Sequence, residues 1–301
     1  MSAALTVSAG LRDAASRLKA AGIPESLAES LELLSSVLHK DKSYLYAHPE
    51  TVLTPVQRGR FARYLRGRQE RRPLQYLTRR CDFFGMEFHV DESVLVPRPE
   101  TELLAEKIMA RLQGAGPSPR VLDLGTGSGC LAAVLARHLR ARVWATDLSG
   151  AALAVARRNI RRHGLAGRVT LRRGDLFGAL PGRRHRGFFD AIVSNPPYVP
   201  ESDRPGLAPE VLREPARALF GGENGLFFLE KVIGGAGFYL RPGGWLGLEI
   251  GFGQSLAVKS YLRRSGFEGI EVIQDWQGID RTVLARKPVP IKKTGKKPAP
   301  F

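Results

Sequence analysis

Between residues 5 and 70 the apolar positions recur at three- and four-residue spacing, with no run of strict alternation, so the segment reads as helices. Leu5 to Ala21 keeps this spacing and stops at Gly22. Pro24-Glu25 opens a second helix, where proline's missing N–H costs nothing, and the helix runs through Leu27, Leu31, Leu33, Leu34, Val37 and Leu38. Thr54-Pro55 starts another that reaches about Glu70. These short helices predict a small helical domain over residues 1–75. It contains no catalytic cluster and reads as a docking module.

From Arg79 the pattern changes. Phe83, Phe84, Phe88, Val90, Val94, Leu95 and Val96 surround Gly85 and Asp91-Glu92-Ser93, which predicts a β-hairpin with an acidic turn, as a linker over residues 76–98. Pro99 with Glu100 and Glu102 then makes a good helix start, and Leu103 to Leu112 continues it. Beyond Pro119, strands and helices alternate. Strands are expected at Val121–Leu124, Arg142–Thr146, Val169–Leu171, Phe188–Ser194, Trp245–Ile250, Gly269–Gln274 and Thr282–Arg286. The intervening helices are Cys130–Leu139, Ser149–His163, Leu226–Leu240 and Gln254–Ser265. Such alternation implies an α/β domain over residues 99–287, a mainly parallel sheet covered on both faces, of Rossmann-like type.

Composition changes this picture in two ways. The 301 residues carry a formal charge of +17. Nine arginines fall between Arg58 and Arg80 against one acid, Glu70, and six further basic residues lie from Arg286 to the end. This balance predicts attraction to a polyanion, with weak nucleic-acid contact through the basic surface. The Lys-Pro-rich tail, residues 288–301, is expected to be disordered. The two cysteines, Cys81 and Cys130, have neither metal-ligand nor redox spacing, which implies no disulfide framework and a reducing, cytoplasmic compartment. Met1 to Gly22 lacks a basic stretch leading into an apolar core, so no secretory signal is expected. No stretch has the length for a bilayer span, and the scattered histidines predict no metal site.

The candidate chemistry sits at strand ends. Gly125-Thr126-Gly127-Ser128-Gly129 joins the first strand of the α/β part to its first helix, and its glycines let backbone approach a ligand closely. The spacing is G-x-G-x-G, which is neither the dinucleotide fingerprint nor a Walker motif. Asp147 ends the next strand, where an acid can accept from two ribose hydroxyls; a helix cap before Ser149-Gly150 is the plainer use of it. Asp175 ends the third strand, placed to accept from an adenine amino group while Leu176 or Phe177 packs on the ring. A nucleoside-containing cofactor is therefore expected across the strand ends.

The fourth strand stops at Asn195-Pro196-Pro197-Tyr198, where two prolines enforce a stiff, extended corner. The Asn195 side-chain carbonyl and the Pro196 backbone carbonyl can accept the two N–H bonds of a planar NH₂, while Pro197 keeps the corner rigid and Tyr198 flanks the acceptor as a stacking wall. The same cradle fits a carboxamide or the exocyclic amine of adenine. Glu249, Arg98, Glu100 and Thr101 rank lower, with cap, ion-pair or structural roles as the plainer readings. Asp280-Arg281 reads as stabilising a terminal turn, and Cys130 as a small buried residue.

Asp123 to Gly129, Asp147, Gly174-Asp175 and Asn195 to Tyr198 together resemble the class I S-adenosylmethionine-dependent methyltransferases. Val94 to Glu102, Glu214-Pro215-Ala216, Gly221 to Leu226 and Asp275 to Arg281 resemble segments of the peptide chain release factor glutamine N5-methyltransferases, over about residues 10 to 287. That resemblance implies a seven-stranded sheet and S-adenosyl-L-methionine held by Gly125 to Gly129, Asp147, Asp175, Leu176 and Asn195. It further implies catalysis by Asn195, Pro196 and Tyr198, and methylation of the glutamine in the Gly-Gly-Gln loop of bacterial class 1 release factors. N6-adenine methylation of RNA or DNA remains the alternative.

Overall fold

Five helices open the chain: α1 (Val7–Ala20), α2 (Ser26–Leu38), α3 (Lys42–Ala47), α4 (Pro55–Gln69) and α5 (Leu74–Thr78). The computed structural model describes residues 5–180 and 182–290, so most of the basic tail, 291–301, lies outside the described residues. The start of α4 is a capping box. Thr54 Oγ1 accepts from Gln57 N–H at 3.3 Å and Gln57 Oε1 accepts from Thr54 N–H at 2.8 Å, which satisfies two otherwise orphaned donors. Val7, Ala14, Leu18, Leu33, Leu34, Phe61 and Leu65 then close a separate small core.

The hairpin is β1 (Cys81–Phe83) with β2 (Met86–Phe88), antiparallel. Its turn is Phe84-Gly85, not the acidic Asp91–Ser93. Both turn residues have positive φ, 51° and 69°, the backbone of a two-residue hairpin turn. The Phe84 N–H is accepted by Glu102, from the next helix, at 2.7 Å. The acids follow the hairpin, where Asp91 Oδ1 accepts from Ser93 N–H in an Asx turn.

Helix α6 (Pro99–Leu112) leads into a seven-stranded sheet. Its elements are β3 (Arg120–Leu124), α7 (Cys130–His138), β4 (Arg142–Asp147), α8 (Gly150–Arg162), β5 (Val169–Arg173) and β6 (Phe189–Ser194). They are followed by α9 (Ala216–Leu219), α10 (Phe227–Tyr239), β7 (Leu240–Glu249), α11 (Ser255–Arg264), β8 (Glu268–Gln274) and β9 (Asp280–Arg286). The strand order is β5-β4-β3-β6-β7-β9-β8, parallel from β5 through β7, with β9 antiparallel to both its neighbours. β7 begins at Leu240, five residues before the expected Trp245, because Leu240 pairs with Phe189 ahead of an irregular Pro242–Gly244 stretch.

Alternate strand residues feed two cores. Val121, Val143, Ala191 and Val193 face α6 and α7 on one side. Leu122, Leu124, Ile192, Leu246 and Leu248 face α10 and α11 on the other. Each fully buried aliphatic side chain here stabilises the fold by about 1.5–3 kcal/mol relative to an exposed one. The chain runs β3 to β5 in one direction and resumes at β6 beside β3, so the order reverses between β3 and β6. Ligands in open α/β sheets bind outside the carboxyl ends at such a point. Among the described residues, no helix is long and apolar enough to cross a membrane.

Candidate active site

A cavity opens where β3, β4 and β6 end. Its wall includes Asp123 to Ser128, Asp147, Asp175, Leu176, Ser194 to Pro197, Thr101 and Arg217. After β3, the backbone turns through positive φ at Gly125 (75°), Gly127 (54°) and Gly129 (79°). Space is open where side chains on Gly125 and Gly127 would project, so any other residue would fill the cradle. Gly129 is needed for packing, since a Cβ there would lie 3.1 Å from Ala156 Cβ. The turn is tied from below: Thr126 donates its hydroxyl to buried Asp123 at 2.6 Å. Burial raises the Asp123 carboxyl to about 7. Asn159, fully buried on α8, donates to Ser128 O and to His89 O, both at 2.9 Å, and so anchors the turn to the linker.

Asp147 sits at the tip of β4 and accepts from Gly127 N–H at 2.9 Å and Ser149 N–H at 2.8 Å. Both oxygens keep a lone pair for hydroxyl donors. The α8 N-cap is Ser149, whose hydroxyl accepts from Ala152 N–H. At the tip of β5, Asp175 is exposed and lines the cavity. Leu176 lines it too, held at φ 44°, a strained conformation for that residue that the surrounding structure must impose. Phe177 turns away and stacks on Tyr239 at 4.7 Å.

β6 delivers the second wall. Asn195, Pro196 and Pro197 line the cavity, whereas the Tyr198 ring packs against the α10–α11 core and is not among its lining residues. Asn195 Nδ2 donates to Thr101 Oγ1 at 3.0 Å, and Thr101 donates to Glu249 Oε2 at 2.6 Å. The Tyr198 hydroxyl donates to the other Glu249 oxygen at 3.1 Å. Glu249 is fully buried at the end of β7, and burial pushes its carboxyl up to about 7. Burial likewise raises the Tyr198 phenol, so it stays a donor.

The peptide after Asn195 is splinted by a glycine-rich segment. Gly221 N–H donates to Val199 O at 2.9 Å, and Val199 N–H donates to Leu219 O at 2.9 Å. A Cβ on Gly225 would overlap the Tyr198 carbonyl, and one on Gly221 would overlap the Pro197 carbonyl. Gln254 completes the splint, donating to Tyr198 O while accepting from Gly251 N–H, both at 2.8 Å. Farther out, Glu214 accepts from Val96 N–H at 2.9 Å and pairs with Arg98 at 2.5 Å, which joins linker to loop.

The structure thus brings Gly125 to Ser128, Asp147, Asp175, Leu176 and Asn195 to Pro197 around one cavity, with Gly129 packed behind the turn against Ala156. Thr101 and Glu249, ranked low from sequence, are the direct supports of that wall. Arg98 supports the loop instead, and Arg281 pairs with Asp275 at 3.0 Å in the β8–β9 turn. Asn159, Arg217 and Gln254 escaped the sequence reading. An acid closing an otherwise apolar strand, Leu246 to Ile250, was the one signal available for Glu249. Of the nine clustered arginines, Arg68, Arg71, Arg72, Arg79 and Arg80 pair with carboxylates of the same chain. Burial lifts the Cys130 thiol to about 12, which leaves it inert.

This sheet order and this cleft define a Rossmann-like methyltransferase. Residues 99–233 match the methyltransferase small domain and residues 10–78 match the PrmC N-terminal domain. The release factor glutamine methyltransferase of Moorella thermoacetica is 42% identical over 283 residues, 93% of this chain and 98% of that protein. The Geobacter sulfurreducens protein of the same name is 42% identical over 267 residues, 88% of this chain and 91% of that protein. A T. thermophilus 16S rRNA methyltransferase solved with AdoMet and guanosine shares the fold, with a TM-score of 0.52 at 24% identity. That likeness covers 69% of this chain and 49% of the other. The chain belongs to the release factor glutamine methyltransferase family.

Proposed function

We propose that this protein methylates the side-chain nitrogen of the glutamine in the Gly-Gly-Gln loop of class 1 peptide chain release factors, in the cytoplasm, with S-adenosylmethionine as donor. The observation that carries the chemistry is the juxtaposition of Asn195 and Pro196 at the tip of β6 with the open glycine turn after the neighbouring β3. Family membership carries the choice of acceptor. The open glycine cradle, Asp147, Asp175 and Leu176 are suited to hold the donor's amino-acid, ribose and adenine parts in turn. S-adenosylmethionine, when bound, supplies an electrophilic methyl on a sulfonium.

Everything else falls to the chain's own groups. A carboxamide nitrogen is a weak nucleophile because its lone pair is delocalised. Asn195 Oδ1 and the Pro196 carbonyl accept its two N–H bonds and turn the lone pair into the cavity. Their partial negative charges stabilise the positive charge that develops on the nitrogen. Fixing the reactants in near-attack geometry contributes up to about 7–11 kcal/mol in the best intramolecular cases, so no strong base is required. Tyr198 acts from behind the wall, through Glu249.

The test uses labelled S-adenosylmethionine with purified release factor and, separately, with total RNA. Label on the glutamine of the release factor alone is expected. Asn195→Ala should lower kcat by about 10²- to 10³-fold, with donor affinity retained by calorimetry. Label in RNA alone, or full activity of the variant, would overturn the reading.

A further inference from the structure

A hydroxyl has one proton to give, and an ionised carboxylate can only accept. Thr101 Oγ1 lies 2.6 Å from Glu249 Oε2 and 3.0 Å from the Asn195 amide. With Glu249 ionised, the Thr101 proton goes to the carboxylate. The Thr101 oxygen must then receive the Asn195 NH₂, and Asn195 Oδ1 is left to the cavity. With Glu249 protonated, that logic fails. The acid gives its own proton to one of the two hydroxyls, Thr101 becomes free to donate to Asn195 Oδ1, and the two ends of the amide become interchangeable. The reversed amide points N–H at the incoming NH₂, which removes an acceptor and sets donor against donor.

We propose that ionised Glu249 is a positioning residue for methyl transfer, acting through Thr101 to hold the Asn195 oxygen towards the substrate NH₂; this rests on the acceptor reading given above. Geometry carries it: Glu249 is fully buried, does not line the cavity, hydrogen-bonds to the lining residue Thr101, and also fixes Tyr198. The groups facing it are Thr101 and Glu100 on α6, Tyr198 after β6, and Arg281 and Thr282 on β9, Thr282 being its partner in the ladder. Burial raises its carboxyl to about 7, against the lowering hydrogen bonds of Thr101 and Tyr198 and the Arg281 charge, with Glu100 pushing upward. Turnover should therefore fall as pH drops through that value and Glu249 takes up its proton.

The experiment measures kcat on purified release factor from about pH 5.5 to 8.5, a range that spans both sides of such a group. Wild type should show an acid limb. Glu249→Gln keeps the size but not the ionisation, and it should lose the limb while kcat falls between about tenfold and a hundredfold, the scale expected for a misplaced reacting geometry. Donor affinity should stay unchanged. Thr101→Val should lose a similar factor and Thr101→Ser should recover it. An unaltered limb and kcat in Glu249→Gln would overturn the proposal. A second readout is independent of the acceptor: the Asn195 side-chain amide resonances should titrate with the limb in wild type and not in Glu249→Gln. Resonances indifferent to pH would overturn the relay. Label in RNA alone would overturn the acceptor reading while the resonances still test Glu249.

Discussion

On one side of the cavity, Thr126 and Asp123 bond across three residues and Gly127 reaches Asp147 across twenty. On the other, Asn195 reaches Thr101 across 94 residues, and Thr101 reaches Glu249 across 148. The glycine turn is shaped by backbone conformations that its own short sequence dictates. The Asn195 wall takes its shape from α6, β7 and the Gly221–Gly225 loop meeting behind it. Donor binding therefore depends on contacts within β3, β4 and α8, close along the chain, and acceptor orientation on more distant parts of the assembled domain. Damage to the two walls should consequently register in different kinetic constants.

The sharpest separation should come from glycines. Gly225→Ala inserts a Cβ into the Tyr198 carbonyl at φ 73°, and displacing the Asn195 wall should lower kcat by about a hundredfold. Donor affinity by calorimetry should hold, and a loss there would break the contrast. Gly125→Val, at φ 75° with open space beyond, should do the reverse. Left-handed strain alone costs about 1–2 kcal/mol, and the added side chain fills the cradle, so donor affinity should weaken by at least about tenfold. The saturated rate should change less.

The smallest effect should lie at the join with the helical domain. Buried Arg68 pairs with Glu29 at 2.5 Å and with Glu210 at 3.0 Å, and Arg71 shares Glu210. Burial alone would raise the Glu210 carboxyl, but a backbone hydrogen bond and Arg68 hold it below its ordinary range. Its stabilisation is present above that range and fades as pH falls through the lowered value. Glu210→Gln should cost about 1–2 kcal/mol at neutral pH and flatten the acid side of the melting profile, with both kinetic constants near wild type on a short peptide acceptor.

The same contrast explains what could be read from the chain beforehand. Gly125 to Gly129, Asp147 and the proline corner each carry a signal in their own few residues, a glycine-rich turn, an acid at a strand end and two prolines of fixed φ, so their chemistry was legible. Alternating strands and helices likewise gave the sheet, including both terminal strands. The hairpin turn escaped because a phenylalanine rarely adopts the positive φ of Phe84, and the acceptor of its N–H, Glu102, lies eighteen residues on. Glu249 and Thr101 ranked low because an acid at a strand end and a threonine in a helix's first turn each have a sufficient local use. Only folding brings them within 2.6 Å. Gly221 to Gly225 was legible as a resemblance, and its physical purpose, the close approach to Pro197 and Tyr198, needed the structure.

The raised carboxyls of Asp123 and Glu249 have a thermodynamic side. Their ordinary values are 3.8 and 4.5, and burial lifts both to about 7. Between those limits the folded chain holds more protons than the unfolded one, so stability declines as pH climbs across the window. One of these acids stands under each wall of the cleft. The contribution of these two acids to folding is thus largest where both are protonated and the acceptor wall is disengaged, and part of it is given up as Glu249 ionises and the site becomes competent.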